Sequence, residues 1–332
     1  MSDAGTILTR DAGIRYPLIC GAMYPCSNPE LVAAVSQAGG LGVIQPLSFA
    51  YVHSGSFSAG LDRVRELTDQ PLGFNAIVEQ TVKAYETRMR TWIEEALDRD
   101  VRFFITALGN PAWVCDVVHS AGGKVYHDVT ERRWADKALE AGVDGFIAVN
   151  SRAGGHAGKL DPLELLGDLG PLKKPVICAG GIGDERAFVD ALEAGFDGCQ
   201  LGTRFIATPE CHVHDSYREA IVEAGEEDVV LTDKLSGVDV SVLRNPDLDR
   251  AGYRAGPIAR WLLKGRKTKH WVRTYYTLRS LRNLKRSSTQ GLTYRDSYQA
   301  GKSVGGIHKI ESAGAIVERF GQAWLASRGG QG

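Results

Sequence analysis

Residues 175–204 read Pro175-Val-Ile-Cys-Ala-Gly180-Gly-Ile-Gly-Asp184-Glu-Arg-Ala-Phe-Val-Asp190-Ala-Leu-Glu-Ala-Gly195-Phe-Asp-Gly-Cys-Gln200-Leu-Gly-Thr-Arg204. A short apolar run (175–178) meets a loop of paired glycines. A helical pattern follows over 186–193, stopped by Gly195, and a second apolar run occupies 197–201. Strand, helix, strand at this spacing is a parallel pair joined by a crossover helix.

The same unit recurs upstream. Strand-like runs fall at 17–20, 41–45, 72–78, 102–107, 124–129 and 144–149. Helical patterns fall between them at 28–38, 61–67, 85–97, 113–119 and 134–140. The first of these opens on Asn28 as a cap with Pro29 in the first turn and stops at Gly39-Gly40. Three helix ends repeat loosely: Gln37-Ala38-Gly39-Gly40, Glu140-Ala141-Gly142-Val143-Asp144 and Glu193-Ala194-Gly195-Phe196-Asp197. Each reads as a helix stop feeding the next strand. Eight such units predict an α/β fold, a (β/α)8 TIM barrel. A doubly wound open sheet is the alternative, but no G-x-G-x-x-G follows the first run.

After about residue 208 the pattern changes. Helix-like segments dominate, with an acidic stretch at 223–233, a basic and aromatic one at 260–286, a glycine-rich piece at 301–306 and a last helix at 312–325. The expected organisation is a barrel over 1–210, a mostly helical C-terminal appendage over 211–327 that packs on or caps it, and a disordered tail at 328–332.

Composition bounds the function. The chain has 332 residues, 43% hydrophobic and 24% charged, with net charge −1, enough for a sizeable core and without a global pull toward nucleic acid or anionic lipid. The first fifteen residues carry no apolar signal region, and no apolar run reaches the ~20 residues of a membrane span. Six cysteines, among them Cys20, Cys178 and Cys199 inside strand-like runs, suggest buried reduced thiols and a cytoplasmic protein.

Barrel ligands sit at the C-terminal strand ends. Those ends carry Gly21-Ala22-Met23, Asn75, His127-Asp128, Ala153-Gly154-Gly155-His156, Gly180-Gly181 and Gly202-Thr203. Glycine N–H groups after the seventh and eighth strands can converge on a phosphate, helped by a following helix N-terminus and the Thr203 hydroxyl. His156 is a titratable ring among glycines at the end of the sixth strand.

These residues resemble the nitronate monooxygenase family, formerly the 2-nitropropane dioxygenases. The likeness is carried by Pro17-Leu18-Ile19-Cys20-Gly21-Ala22-Met23, Ala38-Gly39-Gly40-Leu41-Gly42, Gly73-Phe74-Asn75, Ala153-Gly154-Gly155-His156-Ala157-Gly158, Ala179-Gly180-Gly181-Ile182 and Leu201-Gly202-Thr203-Arg204-Phe205. The resemblance implies an FMN-containing barrel. Gly21, Ala22 and Met23 would lie against the flavin ring, and Asn75 would hydrogen-bond it. Gly180, Gly181, Gly202 and Thr203 would hold the phosphate, with Gln200 near the ribityl chain or ring and Ala153, Gly154 and Gly155 at the cofactor. His156 would be the catalytic residue facing substrate. The implied reaction is oxidation of an alkyl nitronate with O2 as terminal acceptor. The same family includes NAD(P)H-dependent reductases of quinones and enoyl thioesters, in which NAD(P)H is co-substrate. One departure stands out: Asn150-Ser151-Arg152 replaces the family's usual triplet ending in an acid, so a base stands where the acid would.

Weaker signals remain. Cys211-His212-x-His214 has metal-site residue types, but its spacing is tight and no second cluster accompanies it, so no metal is expected. The 260–286 stretch interleaves Trp261, Trp271, Tyr275 and Tyr276 with Lys and Arg. It reads as a solvated helical face rather than a nucleic-acid site, with recognition of an anionic substrate or nucleotide as a third option. A small-molecule substrate, no membrane and a homodimer as an open option complete the expectations. The rival of another class is a non-catalytic binding module using the basic stretch.

Overall fold

The computed structural model describes residues 5–79, 83–233, 239–254, 286 and 298–329. The basic stretch at 260–286, apart from Arg286, and residues 330–332 of the tail lie outside the described residues.

Eight parallel strands close into a barrel in sequence order: β1 (Leu18–Cys20), β2 (Leu41–Ile44), β3 (Leu72–Ile77), β4 (Phe103–Ala107), β5 (Lys124–Val129), β6 (Gly145–Val149), β7 (Val176–Ala179) and β8 (Gly198–Leu201), with β8 pairing back onto β1. The ring of crossovers is built from α2 (Pro29–Gln37), α3 (Pro46–Ser48) running into a π turn over Phe49–His53, α4 (Phe57–Leu67), α5 (Lys83–Asp98), α6 (Ala112–Ser120), α7 (Arg132–Glu140), α8 (Pro162–Leu169) and α9 (Glu185–Glu193). The fold is the expected (β/α)8 barrel. Before β1 lies a short helix, α1 (Ile7–Ala12), for which the sequence pattern gives no hint. Its Leu8 and Ala12, with Ile14, join Ile19, Leu41, Ile147 and Ile177 in the inner core and plug the N-terminal end of the barrel.

Two other details depart from expectation. Asn28 takes the N-cap position of α2 as expected, but its side chain makes no capping bond; its amide donates instead to Glu210 O at 2.9 Å and to Glu30. Within the C-terminal region, α10 (Thr203–Ile206) and α11 (Asp215–Glu223) lead into an antiparallel hairpin of β9 (Val229–Thr232) and β10 (Val240–Leu243), where sequence suggests helix. After α12 (Pro246–Ala251) and a 3-10 turn at Lys302–Gly306, α13 (Ala313–Gly329) packs between α2 and α9. Its Phe320 ring lies 5.5 Å from Phe188 of α9. In packing, α13 thus completes the ring around the barrel, although it lies over a hundred residues beyond β8.

The join is electrostatic as well as apolar. Arg204 of α10 is 1% exposed, and its guanidinium meets Glu311 at 2.9 Å and the Lys309 carbonyl at 3.2 Å. Arg319 of α13 bonds the same Glu311 oxygen and also Glu185 of α9. The six cysteines are all free and buried. No helix among the described residues is long and apolar enough to cross a membrane.

Candidate active site at the C-terminal end of the barrel

The loop after β6 is organised by Asn150, which is fully buried. Its side-chain carbonyl accepts from Arg152 N–H at 2.9 Å, and its amide donates to Gly180 O at 3.1 Å. One side chain therefore ties the histidine loop to the loop after β7. Both its donor and its acceptor are needed, so an amide suits this place. Gly180 and Gly181 follow with φ of +125° and +87°, conformations that side chains other than hydrogen rarely adopt. A Cβ on Gly180 would strike Asn150 and Ala153, and one on Gly181 would lie 2.6 Å from Arg152 Nε.

Arg152, the third residue of the Asn150-Ser151-Arg152 triplet, is not left as a loose charge. It bonds Glu226 at 2.5 Å, beside β9, and its carbonyl accepts from Lys302 N–H at 2.9 Å. Its side chain runs beside Gly181, within the neighbourhood of any anion held there. Sequence reasoning treats this residue only as a departure; the signal for its partner, Glu226, lies 74 positions away.

The C-terminal segment crosses next to the same loop. A Cβ on Gly154 would come 2.9 Å from Gly301 N, so backbone lies directly on backbone here. Gly301 N–H donates to Thr203 Oγ1 at 3.0 Å, which leaves the buried Thr203 hydroxyl proton to be donated elsewhere. Ser241 N–H of β10 donates to Gly155 O at 2.7 Å. His156 therefore projects from a loop fastened by β10, by residues 300–302 and by Asn150. The residue as a whole is exposed, yet the protein packed around the ring strips it of water and holds its pKa below 6.5, the ordinary histidine value, so the neutral form predominates at pH 7.

The β1 and β8 ends meet on the far side of these loops. Gly21 N–H donates to Leu201 O at 2.9 Å. The Gln200 side chain lies against Gly21, and Met23 Sδ lies beside Gly202. Met23 N–H donates to Ser27 Oγ at 3.0 Å. Ala22 packs against the inner core at the barrel mouth. The structure thus gathers Gly21, Met23, Ala153, Gly154, Gly155, Gly180, Gly181, Gln200, Gly202 and Thr203 into one contiguous set of loops. Asn75 enters from β3 on the inward face of the barrel wall, where its amide reaches Ile105 O at 3.5 Å. Cys211, His212 and His214 are separated in role: the thiol bonds Cys26 O, His212 approaches Glu30, and His214 caps α11 through Ser216 N–H.

Several polar groups at this end have no protein partner among the described residues. Gln200 Oε1 and Asp128 Oδ1 are buried without a hydrogen bond. No recorded acceptor takes the N–H of Gly181 or Gly202. At the N-terminus of α9 the Asp184 carboxylate accepts from Ala187 N–H at 2.8 Å, so one of that end's donors is already met. The uncapped end beside the glycines is that of α10, which starts on Thr203. Free N–H donors on one side and a free buried acceptor on the other fit an amphoteric ligand, with a phosphate end and a hydrogen-bonding ring or polyol.

A profile of the nitronate monooxygenase family matches residues 6–321. The chain is 28% identical over 263 residues to a Rhodococcus jostii dehydrogenase named for a carboxyl-CoA derivative of a hydroxylated octahydroindene, covering 78% of this chain and 72% of that protein. It is 27% identical over 292 residues to a probable nitronate monooxygenase of Staphylococcus aureus, covering 76% and 81%. Among solved structures, FabK from Thermotoga maritima superposes with a TM-score of 0.81 at 27% identity, over 98% of each chain.

Proposed function

Because this chain belongs to the nitronate monooxygenase family and is an oxidoreductase of that flavin-dependent kind, we propose that it holds FMN at the barrel mouth and oxidises alkyl nitronates with O2. The observation that carries this reading is the placing of His156 on a loop fastened by Asn150 and β10, beside a set of glycine loops with free N–H donors. Gly181, Gly202 and Thr203 would hold the FMN phosphate, and Gln200 would accept from the ribityl chain or ring. Bound there, FMN supplies the electron acceptor that no side chain can.

The chain's own residues do the rest. The His156 N–H donates to a nitronate oxygen and orients the anion. If a neutral nitroalkane enters instead, the ring's other nitrogen can take the α-proton as general base. Asn150 and Ser241 keep the loop in place. Arg152 adds positive potential beside Gly181 while Glu226 sets its direction.

Anaerobic mixing of the purified flavoprotein tests the reading. A propyl nitronate is expected to bleach the visible flavin band, whereas NADH and NADPH leave it unchanged. Bleaching by a nicotinamide alone would overturn nitronate oxidation. It would establish the second reading, NAD(P)H-linked redox chemistry on a CoA thioester or quinone, which the name of the Rhodococcus relative favours.

The phosphate assignment has its own test. Thr203→Val with Gly181→Ala removes a hydroxyl donor and forces a Cβ toward Arg152 at a positive φ. Loss of a charge-assisted bond costs about 1.5–3 kcal/mol, so the FMN Kd should rise roughly ten- to hundredfold. Fluorescence titration of apoprotein with FMN measures it, and an unchanged Kd contradicts the assignment.

A further inference from the structure

Sequence places His127 and Asp128 together at the end of β5, but the strand separates them. The register partner of Asp128 is Ile147, and its neighbour two residues back is Tyr126; both belong to the inner core. Asp128 therefore faces into the barrel. His127 pairs with Phe146 in the outer layer, and its Nδ1 lies 2.8 Å from Thr106 Oγ1. Thr106 Oγ1 also donates to Tyr126 O, so His127 Nδ1 carries the proton of that bond.

Asp128 has no such arrangement. Its Oδ1 is buried with no hydrogen-bond partner among the described residues. An unmet buried acceptor of this kind is destabilising unless a ligand meets it. Among the described residues, nothing charged faces it from the elements around it. β4 presents Phe103 and Ile105, β6 presents Ile147 and Val149, β3 presents Asn75, and β8 presents Gln200. Tyr126, on its own strand, spends its hydroxyl on Asp11 at the opposite end of the barrel. Above it, His156 is predominantly neutral at pH 7 and Arg152 is paired with Glu226. Burial alone pushes the Asp128 carboxyl up to about 7, which leaves a substantial protonated fraction at neutral pH.

We infer that Asp128 is a hydrogen-bond donor to the bound cofactor ring, the proton-bearing group on the barrel side of the site, with His156 on the substrate side. The assignment rests on the FMN reading above. A protonated carboxyl one residue from the end of β5 has no acceptor among the described residues, and a flavin ring lying over the barrel mouth offers carbonyl and ring-nitrogen acceptors. Once ionised, Asp128 would oppose any negative charge placed on the ring; protonated, it accommodates that charge. Reduction of the cofactor and protonation of Asp128 are thereby coupled, each favouring the other.

The test uses holoenzyme. In the wild type, the visible flavin spectrum should titrate with an apparent pKa at or above neutrality, and the midpoint potential should fall more steeply as pH rises through it. Asp128→Asn keeps a donor and cannot ionise, so the spectral titration and the added steepness of the potential should vanish while flavin remains bound. An Asp128→Asn holoenzyme that titrates like the wild type overturns the inference. Should that variant fail to fold, the infrared difference spectrum of reduced minus oxidised wild type decides: a perturbed protonated-carboxyl band supports the inference, and its absence overturns it. Wild-type protein that binds no flavin overturns the FMN reading itself, a separate result from a flavoprotein whose spectrum ignores Asp128.

Discussion

His156→Ala is expected to bind FMN as the wild type does and to lose turnover by a factor of about 10²–10⁴, the usual span for a positioned acid or base. The phosphate donors and Gln200 belong to other loops and to β8, so cofactor retention should not depend on the ring. His156→Asn separates its two duties. The amide still donates to a nitronate oxygen, so oxidation of a preformed nitronate should survive in large part. It cannot accept an α-proton, so any activity on the neutral nitroalkane should fall as far as in the alanine variant. The pH dependence has a definite sign. The basic form of His156 exists above its pKa, which is depressed below 6.5. Activity on the neutral nitroalkane should hold steady above that value and fall as pH drops through it. Steady-state kinetics with flavin content measured on the same samples checks all three; full turnover in the alanine variant removes His156 from the chemistry.

The largest stability effect is expected at Glu311. This carboxylate receives Arg204, Arg319 and Lys309, and Arg204 is 1% exposed. Glu311→Ala leaves a buried guanidinium with the Lys309 carbonyl as its remaining partner. Breaking such a pair costs about 3 kcal/mol, the low end for a buried pair that loses one member. Denaturant unfolding should show the loss. The double variant Arg204→Met with Glu311→Leu should recover part of it, because no stranded charge remains. Burial pushes the Glu311 carboxyl up, but the bond from Lys309 and the charges of Arg319 and Arg204 more than offset it and hold the group below its ordinary 4.5. Its contribution is therefore complete above that value and is lost as pH falls through the depressed one. The gap between wild type and Glu311→Ala should be constant near neutrality and shrink in acid. A gap that grows in acid contradicts the assignment.

The barrel is legible in the sequence because its strands are short apolar runs punctuated by helix stops at fixed spacing. The observed β5 spans the predicted residues 124–129, and the other strand limits move by one residue or so. The site's glycine loops are legible for a related reason: a strand end followed by paired glycines has few other uses. Three things are hidden. The β9–β10 hairpin begins inside an acidic stretch, where Glu226, Glu227 and Asp228 obscure the β-branched run that follows. The approach of Gly301 to Gly154 and the pairing of Arg152 with Glu226 join residues far apart in the chain, and nothing local records them. The opposed directions of His127 and Asp128 are different in kind. Strand parity is encoded, since Tyr126 and Asp128 must share a face, but which face is inward depends on the closed register.

Helix α13 and residues 300–302 have a consequence for the order in which the protein becomes complete during synthesis. All eight strands and Thr203 have been translated well before Gly301 and Phe320. Until those last residues emerge, Phe188 lacks its aromatic neighbour, Arg204 lacks its carboxylate, and the histidine loop lacks Gly301 beneath Gly154. The nascent chain can pair strands early, but the catalytic mouth is finished last. A cofactor held there, as proposed, would accordingly load late, after helix α13 has docked.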